Sequence, residues 1–439
     1  MKKTVWLFLL SASLRVFAQH PNIGGFNVYY GNLHNHCNFY DGTGTVTDAY
    51  STAKYTAKYD FFGLSDHAEM MNSSEWELMK KTADEFNEDS VFASFWGFEW
   101  SSPIYGHSNI IGSDAFRSSV DLSTISFSQL VIWVNSHECI AFFNHPGDYG
   151  SPNVEFNHFS NNPSGRFVGM ELWNGNRGFD HFYDNNGYFD NDGGLSYFDE
   201  ALTQGWRIGA MGGEDDHSAT WGSNERKMAI LAKELSRGAM LDAFKARRFY
   251  STLDRNIEMS FKIDGYEMGS IIHSGSYPGK ITLHDANDEV FTKAELICKG
   301  NVMETFNVND VAPVISFSVT AKPNDYYYIR VYQQDGDRAI SSPIFVDDNY
   351  IATDLPGLTK ENPAAITIQN TGGKNYIVLT GHDKDENVVI VDLTGRVVAS
   401  VKVIPGEHTE MPDYKLPAGL YLAHINGHPE IKACKLFLR

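Results

Sequence analysis

The sequence predicts an α/β domain on a largely parallel sheet, followed by a small β-sandwich and a last β module. Three observations predict it. Over residues 27–256, apolar strand-like runs alternate with amphipathic helical segments, the pattern of βα units. Over residues 257–346 the helical period disappears, and short alternating strands are separated by the turn signals Asp264-Gly265, Lys299-Gly300 and Asp335-Gly336. Residues 347–364 hold Pro356, Gly357 and Pro363 and read as a linker before a β module over residues 365–439.

Within the first region each element has its own reason. Residues 26–30 are an apolar and aromatic strand. Residues 47–59 read as a helix capped by Thr47 or Asp48, and 61–64 as a short strand ending in Ser65-Asp66-His67. Residues 74–88 form an amphipathic helix, and 91–98 a strand ending in Glu99. His107 precedes a strand over 108–111, 127–135 is a helix, and 139–143 is a strand ending in Asn144-His145-Pro146. Residues 167–172 lead into Trp173-Asn174-Gly175, 208–211 into Gly213-Glu214-Asp215-Asp216-His217, and 236–248 is a final helix. Residues 177–196, rich in Gly, Asn, Asp and aromatics, read as a long loop at the mouth of a site.

A chain of 439 residues is too long for one ordinary domain, and 42% hydrophobic content is ample for packed cores. The formal net charge of -20 repels nucleic acid and anionic membrane, and both are discounted as partners. It leaves room for an anionic substrate, because bound cations invert a local field. Lys2 and Lys3, the apolar run 5–14 and the small-x-small site Val16-Phe17-Ala18 read as a secretory signal over residues 1–18, with Gln19 as the mature start. That run is too short to span a bilayer comfortably, and no other segment is long and apolar enough. Cys37, Cys139, Cys298 and Cys434 have no CxxC spacing and read as isolated thiols.

The strand over 26–30 runs into Gly31-Asn32-Leu33-His34-Asn35-His36. Strand alternation turns His34 and His36 to one face, where they can share a metal ion, and turns Cys37 away. Further on, apolar runs end repeatedly in His, Asp or Glu, as expected where reactive groups sit at strand C-termini. The candidate ligands are His34, His36, Asp41, His67, Glu99, His107, His145, Asp215 and His217. Imidazoles and carboxylates without thiolates suit catalytic zinc, manganese or iron. Nine candidates exceed one ion's needs, so two or three divalent ions are expected, sharing a bridging hydroxide and clamping a phosphoryl oxygen.

These motifs, in this order, resemble the polymerase-and-histidinol-phosphatase (PHP) family of metal-dependent hydrolases. The matching residues are His34, His36, Asp41-Gly42, Asp66-His67, Glu99, His145-Pro146 and Gly213 to His217. Glu171-Leu172-Trp173-Asn174-Gly175, Arg247-Arg248-Phe249-Tyr250-Ser251-Thr252 and Ala339-Ile340-Ser341-Ser342-Pro343-Ile344 resemble its CehA/McbA-type branch. The resemblance implies a distorted (β/α)7 barrel over residues 19–256. It implies one ion on His34, His36, Glu99 and Asp215, a second bridged by Glu99 and shared with His107 and His145, and a third on Asp41, His67 and His217. The chain departs from the family at Tyr40, where Ser is usual, and in the acidic neighbours Glu214 and Asp216. The segments 388–398, 416–421 and the basic end 432–439 resemble a type IX secretion sorting domain of exported Bacteroidetes proteins, implying delivery to the cell surface or outside through the secretion machinery.

The expected activity is that of a secreted multi-metal hydrolase acting on a small-molecule phosphoester, with Asp215, His67 and Glu99 as catalytic residues and Arg177 and Arg207 as phosphate contacts. A carboxylic-ester or carbamate hydrolase is the second reading. A glycan- or surface-binding protein is the third, with a structural metal site and its function in the aromatic run Tyr326-Tyr327-Tyr328.

Overall fold

The computed structural model describes residues 20–147, 163–184 and 195–350, and, within the tail, 365–371, 374–380, 386–392, 396–404, 409–411, 417, 419–425 and 434–438. The expected signal, most of the linker and part of the sorting motif lie outside the described residues. The chain divides into two compact units between Gly357 and Leu358.

The first unit opens with β1 (Asn22–Ile23), β2 (Phe26–Asn32), α1 (Val46–Ser51), β3 (Phe61–Leu64), α2 (Ser73–Phe86), β4 (Ala93–Ser102) and β5 (Gly106–Ile111). Next come α3 (Phe127–Asn135), β6 (Ile140–Phe143), β7 (Phe167–Asn174), α4 (Tyr197–Thr203), β8 (Gly209–Gly213), β9 (Lys227–Ala232), α5 (Arg237–Lys245) and β10 (Phe249–Thr252). The longer helices begin where the sequence supplies a capping box. Asn72 and Glu75 open α2, Ser126 and Gln129 open α3, and each pair satisfies amide groups that the first turn leaves free. The cap of α1 is Thr45, paired with Asp48, and its helix passes into a π-helical turn over Thr52–Thr56. Trp76, Met79 and Ala83 form the buried stripe of α2.

Among the described residues 16 strands join in one curled sheet, whose main path runs β13-β20-β18-β19-β10-β9-β2-β3-β4-β5-β6-β7-β8. Here β11 is Ile257–Ile263, β12 Tyr266–Glu267, β13 Ile271–Ile272, β14 Gly275–Asp285 and β15 Phe291–Cys298. They are followed by β16 (Asn301–Asp310), β17 (Val314–Ala321), β18 (Tyr326–Gln333), β19 (Arg338–Ser341) and β20 (Ile344–Val346). The distorted (β/α)7 barrel and its largely parallel sheet do not form; the unit is mostly β, with a mixed sheet. Between β4 and β5 only residues 103–105 intervene, too few for a parallel crossover, so β5 returns antiparallel to β4 and to β6. At the other side β9, β10 and β19 continue antiparallel and lead the sheet away from β8. The sheet curls until β10 lies beside β8, with Ser251 Oγ donating to the Met211 carbonyl at 2.8 Å, but among the described residues β8 pairs with β7 alone.

What the curl preserves is direction. β2, β3 and β4 are parallel neighbours, and so are β6, β7 and β8. Since β5 reverses between the two groups, all six strands end at one edge of the sheet and β5 begins there.

Residues 257–346 pack a four-stranded sheet, β12-β11-β14-β17, over the β18-side limb of the large sheet. Met259, Phe261, Ile281, Leu296, Ile329 and Val331 fill the space between them. Tyr326, Tyr327 and Tyr328 are buried in this limb and hydrogen-bond Asp199 and Asp325, so they offer no aromatic surface to a glycan. The second unit holds two small antiparallel sheets around Ile377, Leu379, Val388, Ile390 and Ala423. All four cysteines are free thiols. No helix among the described residues is long and apolar enough to cross a membrane.

Candidate metal centre

The shared edge of the six strands gathers all nine candidate residues. His34 and His36 lie just past β2 rather than in it. The chain stays extended there because His36 N–H donates to the Asp216 carbonyl at 3.1 Å and Asp215 N–H to the His34 carbonyl at 2.8 Å. The alternation therefore continues beyond the strand, and the two rings meet with their Nε2 atoms 3.3 Å apart. Cys37 is turned away, its thiol donating to Asp66 Oδ2 at 3.2 Å. His67 follows β3, His145 follows β6, and Asp215 and His217 follow β8. Glu99 lies within β4 and His107 is the second residue of β5. His145 and Asp215 both have positive φ, a costly backbone state for residues other than glycine that concentrates at functional sites.

Glu99 is the hub. Its Oε1 is 3.2 Å from His107 Nδ1 and 3.4 Å from Nε2 of both His34 and His145. Its Oε2 is 2.9 Å from His67 Nδ1. Asp215 is the second hub, with Oδ1 2.9 Å from His36 Nε2 and 3.3 Å from His34 Nε2. Asp41 closes the rim, its two oxygens 3.3 Å from His217 Nε2 and 3.6 Å from His67 Nε2. Four groups in this centre have ligand atoms close enough to hold an ion: His34-His36-Asp215, His34-Glu99-His145, His67-Glu99-His107, and His36-Asp41-His67-His217. His107 thus groups with His67 as well as lying beside His145.

The field at the centre favours positive charge. Burial raises a carboxyl, yet His107, His34 and His67 hold Glu99 well below the usual range, and His34 and His36 do the same for Asp215. Burial lowers an imidazole, yet Asp215, Glu171 and Glu99 leave His34 well above its ordinary value, and His67 is carried up to about 9 by Glu99 and Asp41. Of the acids flanking Asp215, Glu214 accepts from Tyr59 and from Gly222 N–H, and Asp216 accepts from Ser218 and Thr220. Both are committed elsewhere, which leaves Asp215 as the acid facing the histidines.

Two residues of the centre were not among the candidates. Glu171, fully buried in β7, places Oε1 2.8 Å from His34 Nδ1, while its Oε2 accepts from His145 N–H at 2.8 Å and from Asn174 at 2.9 Å. Gly213 makes this reach possible, since a Cβ there would collide with Glu171 Oε1. Asn144 donates to Glu99 Oε1 at 2.6 Å. The signal for Glu171 was its position, an acid inside an otherwise apolar strand, which burial forbids without a partner.

Beside Asp215 and His217 is a polar cavity of about 260 Å³, lined also by Asn176, Thr220 and Asn224. Neither arginine expected to contact phosphate lines it. Arg207 precedes β8, at the far end of the strand from Asp215, and pairs with Asp347. Arg177 follows β7 and sits 3.5 Å from His181 Nε2. The loop expected over 177–196 includes a π-helical turn at Asp180–Asp184, and residues 185–194 lie outside the described residues.

A family model described as a protein of unknown function (DUF3604) matches residues 45–184. An uncharacterized protein of Chlamydia pneumoniae is 26% identical over 381 residues, covering 77% of this chain and 60% of its own. One from Chlamydia trachomatis is 23% identical over 380 residues with the same coverage. The chain thus spans 60% of the length of these relatives. Among solved structures it is similar to a two-domain Bacteroides vulgatus protein containing a predicted PHP-like metal-dependent phosphoesterase. That similarity has a TM-score of 0.43 and 16% identity, covering 74% of this chain and 98% of the other.

Proposed function

We propose that this chain is a multi-metal hydrolase of phosphoesters. The observation that carries the reading is the environment of His34. Its Nδ1 faces Glu171, which keeps a proton on that nitrogen and turns Nε2 to the other ligands, where a metal ion would take the place of the second proton that the surrounding carboxylates favour. That nitrogen lies 3.3–3.4 Å from His36 Nε2, Asp215 Oδ1 and Glu99 Oε1. Acceptors crowded together in a buried space call for a cation.

In this reading His34, His36 and Asp215 would hold one ion, Glu99, His107 and His145 a second, and Asp41, His67 and His217 a third. Such ions supply Lewis-acid stabilisation of a phosphoryl oxygen and a nucleophile from water at neutral pH. Glu171 and Asn144 fix the orientation of His34 and Glu99. Asp215 and His67, each touching several members of the set, handle protons. The half-exposed pair Asp41 and His217 and the cavity beside them are where a small substrate enters.

Metal analysis of the purified protein, followed by turnover of aryl phosphates against aryl esters, tests the proposal. Bound divalent metal with phosphoester turnover supports it. Preference for the carboxylic ester moves the assignment to the second reading, since the same centre can attack a carbonyl. Protein that takes up no metal removes both. We propose further that the tail directs export, which deletion of residues 358–439 in the native cell tests by retaining the protein inside.

A further inference from the structure

His67 belongs to two of the groups with ligand atoms close enough to hold an ion, one with Asp41 and His217, the other with Glu99 and His107. Its Nε2 lies 3.6 Å from Asp41 Oδ2, and its Nδ1 lies 2.9 Å from Glu99 Oε2. A neutral imidazole ligates through one nitrogen while the other carries the proton, so the two groups compete for His67.

The end of β4 decides between them. Ser101 lies two residues beyond Glu99, so strand alternation turns both side chains to the face that His67 meets. Its Oγ is 2.6 Å from His67 Nδ1. Nδ1 is thus held between a hydroxyl and a carboxylate. An ionised carboxylate only accepts, so the proton sits on Nδ1, and a hydroxyl oxygen accepts from the same N–H. Nε2, turned to Asp41, is left as the ligating atom.

Ser101 is held in return. Glu69 comes two residues after His67, across a turn in which Met70 N–H donates to the His67 carbonyl at 3.3 Å. Its Oε1 accepts from Ser101 N–H at 3.2 Å and from Ser119 N–H at 2.6 Å, while Ser119 Oγ donates to the Ser101 carbonyl at 2.7 Å. On its other side Ser101 is paired with His107 in the β4–β5 ladder. The clasp is reciprocal: the strand holds the His67 ring, and the turn that follows His67 holds the strand.

We propose that Ser101 is a positioning residue for His67, and Glu69 for Ser101. Together they commit His67, through Nε2, to the ion held with Asp41 and His217 and withhold it from the ion at Glu99 and His107. The inference rests on the metal-binding reading above and adds to it which nitrogen serves which ion.

The experiment uses the full-length protein, stripped with chelator and titrated with zinc by calorimetry, with the melting midpoint of the metal-free form measured beside it. Ser101→Ala should weaken one zinc ion by about tenfold or more, the usual scale for a lost orienting partner, at an unchanged melting midpoint. Ser101→Thr keeps the hydroxyl and should bind zinc like the parent. Glu69→Ala releases Ser101 by another route and should weaken the same ion. Asp41→Asn identifies that ion: combined with Ser101→Ala it should affect one ion and not two, because both changes act at one site. Zinc affinity equal to the parent's in Ser101→Ala, or in Glu69→Ala where the first variant does not fold, overturns the proposal. So does a loss that Ser101→Thr shares, which would mark packing rather than the hydroxyl. Two weakened ions in the combined variant overturn it as well, since His67 would then serve Glu99 and His107. A parent that takes up no zinc removes the metal-binding reading itself, whereas a parent that binds zinc beside unaffected variants removes this inference alone.

Discussion

Glu171 Oε1 lies 2.8 Å from Nδ1 of His34, and neither side chain is exposed to solvent. The contact determines which nitrogen of His34 carries the proton, and therefore which one faces the other ligands. Glu171→Gln keeps the volume but not the pattern. Its NH2 group must meet either the His34 N–H or the donors from His145 and Asn174. The variant should bind metal about 10–100-fold more weakly, the usual scale for losing an orienting partner. Activity should recover in part at high metal concentration, a rescue that a purely folding defect would not show.

Glu99→Gln tests the hub. One oxygen becomes an NH2 group that cannot coordinate, and one negative charge leaves the space among His34, His67, His107 and His145. Metal content should fall by about one ion and turnover by at least about a hundredfold. The comparison variant changes an acid that holds no backbone amide, unlike Glu69, which accepts from Ser101 and Ser119 N–H. Glu77, exposed on α2, is suitable. Equal metal content and turnover in Glu99→Gln and the parent would remove the bridging carboxylate.

Asp60 makes stability depend on pH. Burial pushes its carboxyl up to about 7, and its Oδ2 accepts from Tyr30 N–H. His20, 3.6 Å away, is itself held down by burial and does not counter this at neutral pH. With the folded value above the unfolded one, folding takes up a proton, and stability falls as pH rises from about 4 to about 7. Asp60→Asn should therefore melt above the parent at pH 8 and level with it near pH 4. A parent and variant with the same difference at both pH values would count against the shift.

The tail should be dispensable for chemistry. A chain ending at Gly357 should keep the metal content and activity of the whole. One ending at Val346 should melt lower, because it lacks Asp347, the partner of Arg207, and Asp348, which accepts from Ser274 N–H. Loss of activity in the chain ending at Gly357 would mean that residues 358–439 contribute to the centre.

Cys37→Ser should leave metal content unchanged, since the thiol faces Asp66 and not the histidines. A lost ion in that variant would contradict the direction of the side chain.

Much of the centre was legible because its residues sit at the ends of apolar runs, and direction is a property the sheet retained. The alternation argument placed His34 and His36 together although the strand stops at Asn32, because the bridge between Asn35 and Asp216 holds the chain extended. The departure from a barrel has one main cause. The sequence pattern around Glu99 and His107 suits separate strands of a parallel sheet, yet too few residues separate them for a crossover, and the chain reverses. Residues 227–232, which the sequence reading assigns to no element, form β9 and carry the sheet away from closure. Glu171 lay hidden for the opposite reason to His34: it is inside a strand, flanked by buried Met170 and Leu172, where no terminus marks it.

Strand β10 lends one side to β9 and the other to β19. The site-bearing strands and the sandwich are therefore continuous through the four-residue segment Phe249–Thr252, with the hydrogen bonds of Tyr326 and Tyr328 to Asp199 as further ties between them. Heat should unravel the first unit in a single cooperative step. An injury deep in the sandwich, at Leu296 for example, should loosen the histidines as surely as one made beside them.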